Sequence, residues 1–332
     1  MWPAGDHEPR TIFRREARVR VLVTGGAGFI GSHVAEAYLA AGHEVAVLDD
    51  LSTGNRENVQ PGVRFYPVDV RSAELPVVLA EFLPDVINHH AAQLSVSVST
   101  KDPRRDADIN ILGTLNLLEA AVRHKVGRVI FASTGGAVYG DKVSVPTSEA
   151  AVPQPVCPYG VAKLAVEKYL AAYQVMHGLR AVALRYSNVY GPRQSSLGEA
   201  GVVAIFCRAI LEERELIVNG DGEQTRDYVY VGDVVHANML AMEMPLGEDV
   251  PIFNIGTGQE TSVKDLVLFL RAVAGKDVRW RHGPPRPGEQ RRSVLECSRV
   301  KQAVGWEAST NLETGLAWTL RWFADKRIPA ER

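Results

Sequence analysis

Short runs of β-branched and aliphatic residues alternate along the chain with longer stretches of mixed apolar and polar residues. Val19-Arg20-Val21-Leu22-Val23 is the first such run and predicts an opening strand. From Phe29 to Ala41 the apolar positions recur at helical spacing, and the pattern stops at Gly42, where a helix C-terminal glycine belongs. Glu44-Val45-Ala46-Val47-Leu48-Asp49 predicts the second strand. Further strands are expected at 63–66, 86–89, 129–133 and 181–184, with helices at 75–82, 106–124 and 159–177. Strands alternating with helices at this interval predict an α/β fold, a doubly wound parallel sheet with right-handed crossovers. Past Arg185 the alternation dissolves into a helix at 201–213, strands at 216–218 and 227–230, and a helix at 233–242. A strand at 253–255, a helix at 263–274, a Pro/Gly-rich loop at 283–288 and a last helix at 312–324 follow. This half predicts a smaller mixed α/β region over the carboxyl ends of the sheet, where ligands of open α/β sheets bind. The expected division is an extension at 1–18, a nucleotide-binding domain at 19–185 with late strands supplied from beyond 185, and a substrate domain at 186–326.

Composition narrows the class of partner. The 332 residues are 46% hydrophobic and 23% charged, an ordinary globular balance with room for one large or two fused domains. A net charge of −2 gives no electrostatic case for nucleic acid or an anionic membrane surface. No apolar run approaches the roughly 20 residues that cross a bilayer, and residues 1–18 are polar with no apolar secretion segment. Cys157, Cys207 and Cys297 are odd in number, widely spaced and without metal-ligand spacing. That pattern suits a reducing compartment, and a cytoplasmic enzyme without a metal is the expectation. Cys157 reads as a small buried residue, since no histidine stands near it in sequence.

The first candidate chemistry lies in Thr24-Gly25-Gly26-Ala27-Gly28-Phe29-Ile30-Gly31, between the first strand and the first helix. Gly25, Gly28 and Gly31 permit a tight turn and close backbone approach, so that amides at the start of the helix (Phe29, Ile30, Gly31) and its dipole meet a pyrophosphate. This is a Rossmann-type signal. Asp49 then ends the second strand, where a carboxylate accepts from an adenosine ribose and repels a 2′-phosphate, favouring NAD over NADP. Asp50, Ser52 and Gly54 continue that turn, and Arg56 beyond it is the one group that argues for a phosphate. Asp69, followed by Val70, closes the third strand and is a candidate acceptor for the adenine amino group; a surface loop acid reads nearly as well. His90-Ala91-Ala92-Gln93 leaves the fourth strand with small residues that a cofactor can approach. His89 and His90, adjacent on a strand, face opposite ways and read as packing residues rather than as a chelate.

Tyr159 and Lys163 stand four residues apart on a predicted helix, about one turn, so phenol and ammonium share a face. A lysine cation beside a phenol favours the phenolate and lowers a pKa that starts near 10. Alone, this spacing describes many exposed helices. Coupled to the glycine turn, it predicts a base for hydride chemistry.

Together, Thr24–Gly31, Asp49, Asn110, Ser133-Thr134, Tyr159-x-x-x-Lys163 and Arg185-Tyr186-Ser187-Asn188 resemble the extended short-chain dehydrogenase/reductase family. Within it the chain is most similar to the UDP-glucose (UDP-galactose) 4-epimerase group, over about residues 20–323. The resemblance implies a tightly held, self-regenerating NAD and reversible inversion at C4 of a UDP-hexose. It implies that Tyr159 takes the proton of the 4-hydroxyl, that Lys163 holds the phenolate and the nicotinamide ribose, and that Asn110 supports them. Thr134 or Ser133 holds the same hydroxyl, the choice left open because this segment is one residue longer than in many epimerases. Tyr186 is implied at the nicotinamide, and Asn188 at a diphosphate or sugar oxygen. Arg226 and Arg286 are implied as the diphosphate clamp, and Glu289 as the uridine-ribose carboxylate. Val203, Phe206 and Leu216-Ile217-Val218 are implied along the uridine, although apolar residues read more readily as core. Related dehydratases and decarboxylases carry an acid after the catalytic threonine; here Gly135-Gly136 stand there, which favours epimerisation. Ser293 falls where a bulky aromatic restricts the family to plain hexoses, so its small side chain implies that UDP-GlcNAc and UDP-GalNAc are also accepted. A UDP-glucuronate or UDP-pentose 4-epimerase is the rival enzyme, a non-catalytic dinucleotide sensor or a net dehydrogenase the rivals of other kinds. A homodimer through the helices at 106–124 and 159–177 is the assembly the family implies.

Overall fold

A computed structural model describes residues 18–196, 201–285 and 290–326. Arg286, Glu289 and nearly all of the expected extension at 1–18 lie outside the described residues. The first six strands are β1 (Arg20–Thr24), β2 (Glu44–Leu48), β3 (Arg64–Tyr66), β4 (Val86–His89), β5 (Arg128–Thr134) and β6 (Ala181–Tyr186). Then come β7 (Asn188–Tyr190), β8 (Leu216–Asn219), β9 (Thr225–Arg226) and β10 (Tyr228–Tyr230). The last are β11 (Ile252–Ile255), β12 (Thr261–Ser262), β13 (Trp280–Gly283) and β14 (Arg292–Ser293).

Seven of these form one parallel sheet in the order β11-β6-β5-β4-β1-β2-β3. Apart from the edge strand β3 its strands are almost wholly buried, as they must be when helices cover both faces. Alternate residues feed opposite cores: Val21 and Val23 enter one with Val34 and Tyr38, while Leu22 enters the other with Leu79, Leu117 and Phe131. Strand order reverses between β1 and β4, which places the ligand crevice outside their carboxyl ends. In register, Thr24 faces His89, so the glycine turn and the loop leaving β4 emerge side by side.

The chain past Arg185 returns to this sheet. β11 pairs with β6 as the seventh strand, and the helix Val231–Glu243 packs against Phe29–Ala40, with Tyr38 donating its hydroxyl to the Asn238 carbonyl at 3.2 Å. A third core gathers Val203, Phe206, Val218, Leu266 and Leu270. Around it lie short pairings: β7 with β10, β8 with β13, and β9 between β12 and β14.

The helices Leu75–Phe82 and Val263–Ala274 have the bounds expected of them. The helix expected at 106–124 differs. It is Pro103–Ala107, then a π-helical stretch Asp108–Leu112, then Gly113–Arg123. Asp102 caps its start through Arg105 N–H, and Pro103 occupies the first turn. The widened turn turns Asn110 inward, and Gly113 lets it lie against Val70, whose Cγ2 would be 2.8 Å from a Cβ there. The strand expected at 227–230 breaks at Asp227. That carboxylate accepts from Thr257 N and Oγ1, Gly258 N and Leu295 N, tying three segments together.

Candidate active site

The glycine turn is built around two close approaches. Gly25 has φ of 66°, and a Cβ on it would stand 2.6 Å from the Ala91 amide nitrogen. A Cβ on Gly31 would overlap the Gly25 carbonyl oxygen. No side chain caps the helix Phe29–Ala40 and no acidic residue lies in its first turn, which leaves the positive end of its dipole to a ligand anion. The buried Asp49 accepts from Ala27 N at 2.9 Å and Leu51 N at 2.8 Å, while burial pushes its carboxyl above the usual range. Gly54 lies against that carboxylate, whose oxygens would be 2.8 and 3.0 Å from a Cβ. Asp50 holds Ser52 through its amide and hydroxyl. These features fit a dinucleotide: the glycines leave a cradle that side chains would fill, with an acid at the end of β2. Asp69 is placed in an ion pair with Arg71, which also holds Asp108. Val70, beside it, is buried in the core.

Beyond β4 the side chains are fixed by mutual hydrogen bonds. His89 lies between Thr24 Oγ1 at 2.6 Å and Thr114 Oγ1 at 2.9 Å, and burial drives its pKa well below the ordinary value. His90 stacks on Tyr186 and is lowered to about 3, chiefly by burial. Ala91 N donates to Thr24 Oγ1, and Ala92 is half-buried. Gln93 N donates to Asn110 Oδ1, and Asn110 Nδ2 donates back to Gln93 O, each at 2.9 Å. Asp106, which the sequence did not single out, accepts from both side chains.

Tyr159 opens the helix Pro158–His177, with proline in its first turn. Gly160 allows that start to press against the Ala137 carbonyl, next to the end of β5. Lys163 is buried; its Nζ donates to Ala132 O at 2.9 Å and lies 5.8 Å from the Tyr159 ring centroid. Burial lowers the ammonium to about 8, against the pull of Asp106 and Glu167. The phenol departs from the sequence expectation. Burial, reinforced by Asp106 and Cys157, holds Tyr159 well above its ordinary value.

Ser133 and Thr134, adjacent on β5, have different surroundings. Ser133 Oγ donates to Glu167 Oε1 at 2.6 Å, and Glu167 is bridged at 2.6 and 2.9 Å by Arg185. Arg185 lies over the Tyr139 ring, whose hydroxyl donates to Asn254. Ser133 thus belongs to a buried polar cluster that the sequence reading missed. Thr134 is half-buried at the strand end and precedes the short helix Gly135–Val138. A Cβ on Gly135 would be 2.5 Å from Leu295 Cδ1, so a side chain there would require Leu295 to shift.

Of the residues implied at the substrate, Tyr186 is buried with its hydroxyl bonded to Asn238, and Asn188 is exposed on β7. Arg226 on β9 is the register partner of Ser293 on β14, which brings together two residues 67 positions apart. Val203, Phe206 and Val218 are placed in the third core with 1%, 2% and 0% of their surface exposed, the core alternative for apolar residues. Among the described residues no group of His, Cys, Asp or Glu is arranged to hold a metal ion.

A sheet that reverses between β1 and β4, with a glycine cradle at the reversal and a half-buried tyrosine paired with a buried lysine beyond it, is the layout of a dinucleotide-dependent enzyme. Comparison with known proteins narrows that class. The chain belongs to the NAD dependent epimerase/dehydratase family, which residues 21–256 match. It is 44% identical over 313 residues to the UDP-glucose 4-epimerase of Mycolicibacterium smegmatis, covering 93% of this chain and 99% of that protein. The UDP-glucose 4-epimerase of Thermotoga maritima, solved with UDP-glucose, superposes with a TM-score of 0.90 at 45% identity, over 92% of this chain and 99% of that one. The UDP-glucose 4-epimerase of Thermus thermophilus, solved with NAD, gives 0.87 at 45% identity with the same coverage.

Proposed function

We propose that this chain interconverts C4 epimers of UDP-hexoses with NAD held in the site. The observation that carries the reading is the placement of Tyr159 one helical turn from the buried cation of Lys163, on a helix that packs against β5, the strand that ends at Thr134. When bound, NAD supplies a reversible hydride acceptor, so that the sugar passes through a 4-ketone. The amides at the start of the helix Phe29–Ala40 would hold its pyrophosphate and Asp49 its ribose. Tyr159 takes the proton of the C4 hydroxyl and returns it after the ketone has turned over; Lys163 stabilises the phenolate in between. Thr134 is the hydroxyl that shares this proton, because Ser133 is committed to Glu167. Gly135 and Gly136 carry no acid or base, which supports epimerisation over elimination, a reaction that needs a further acid or base beside C5 or C6.

Arg226 would clamp the diphosphate, and the small, nearly buried Ser293 beside it supports a pocket wide enough for N-acetylhexosamines. Leu112, Val161, Val175 and Met176 are exposed on the helical segments implied in dimerisation, which supports a pairing of two copies there. The test is a panel of UDP-hexoses, UDP-N-acetylhexosamines, UDP-glucuronate and UDP-pentoses incubated with the protein without added NAD, the C4 epimers then being resolved. UDP-glucose and UDP-GlcNAc should both be inverted, and Tyr159→Phe should lower the rate by at least about 10²-fold. UDP-glucose turnover without UDP-GlcNAc turnover sinks the wide-pocket reading, and an active Tyr159→Phe sinks the base.

A further inference from the structure

The sequence pairs one phenol with one ammonium, and the fold adds a carboxylate to them. Asp106 lies in the helix Pro103–Ala107, which packs against Pro158–His177, and only 1% of its surface is exposed. Its Oδ1 accepts from Gln93 Nε2 at 2.8 Å and from Asn110 Nδ2 at 3.0 Å. Those two residues clasp one another through side chain and backbone, so Asp106 anchors the loop leaving β4. Asp106, Cys157, Pro158 and Ala162 line one cleft of about 460 Å³ at the start of the tyrosine helix. The other ionisable groups around the pair are Glu167 one turn further along, bound to Arg185, Cys157 just before Tyr159, and His89 and His90 at the end of β4, which burial keeps neutral. Asp106 is the carboxylate that acts on both members: it raises the phenol and supports the Lys163 cation.

Resting on the reading of Tyr159 as the base, we propose that Asp106 is a positioning residue of the reaction. With Gln93 and Asn110 it fixes the loop after β4, and its charge balances the pair so that one phenol both accepts and returns the sugar's proton. Without this carboxylate the phenol would release its proton more readily and the buried lysine would hold its own more weakly. A reversible reaction needs a base that releases what it took.

Asp106→Asn separates the charge from the scaffold, because a single oxygen of Asp106 accepts both bonds and an asparagine oxygen can do the same. The pH profile of kcat/KM is the readout. Removing the negative charge lowers both the phenol and the ammonium, so acid and alkaline limbs should move together to lower pH, on the order of one unit. The tyrosinate absorbance that is missing from Tyr159→Phe should move the same way. A lesion of packing alone lowers the amplitude and leaves the limbs in place, which would overturn the proposal. Asp106→Glu, which keeps the charge and disturbs the clasp, should lose rate at unmoved limbs; displaced limbs in it also overturn the proposal, and it serves if Asp106→Asn fails to fold. An active Tyr159→Phe refutes the base itself, whatever Asp106→Asn does.

Discussion

Glu167 shows how much one residue can hold without touching a ligand. Its side chain is fully buried, bridged by Arg185 at 3% exposure, and it takes the Ser133 hydroxyl. Such a pair is costly to desolvate, so its net worth is small while its disruption is not. Glu167→Ala leaves the Arg185 guanidinium buried without its partner, and about 3–5 kcal/mol of unfolding free energy should be lost in urea titration. Replacing both with apolar residues of similar volume should cost much less. Equal losses in the single and double variants would mean that packing, not charge, fixes this cluster. Neither partner was legible as a pair in the sequence, because Glu167 and Arg185 lie on a helix and a strand that meet only when that helix docks on the sheet.

Elements carry the proposed cofactor cradle. The turn between β1 and Phe29–Ala40 works because Gly25 adopts a left-handed conformation and lies against the Ala91 amide. Gly25→Ala combines about 1–2 kcal/mol of backbone strain with a clash against that amide. The variant should melt lower and retain less NAD through purification, measured as nicotinamide released on denaturation per chain; wild-type NAD content would show that the turn does not set the cradle. This element was legible, since strand, glycines and helical period lie in one short stretch. The helix expected at 106–124 was only partly so. Asp102-Pro103 is a helix-start signal present in the sequence, but the widened turn at Asp108–Leu112 depends on Asn110 meeting Gln93 across the site.

At the scale of the molecule, buried imidazoles lie where the two halves of the chain meet. His33 bonds the Pro192 carbonyl and is lowered to about 4, chiefly by burial; His90, against Tyr186, is lowered to about 3. An imidazole held below its free pKa contributes stability that is complete above about pH 6.5 and is lost as pH falls toward the folded value. Unfolding free energy should therefore fall between about pH 6.5 and 4, with His33 accounting for up to about 3 kcal/mol. Asp49 and Asp227, raised by burial, act in the opposite sense, so the measurement is the difference between wild type and His33→Gln in urea titrations across that range. A difference that does not change with pH would remove His33 from this coupling.

Local periodicity and turn chemistry determined the strands through residue 184 and the helices outside residues 96–123, the glycine turn, the acid ending β2 and the Tyr159–Lys163 face, because each is written within a few consecutive residues. Only the tertiary structure decided that β11 completes the sheet, that Arg226 adjoins Ser293, that Ser133 faces Glu167 and that Asp106 lines a cleft at the start of the tyrosine helix. It also decided how burial shifts Tyr159 and Lys163. Spacing brings a cation to the phenol, but burial by distant segments sets the dielectric in which they interact, and here desolvation is the larger effect.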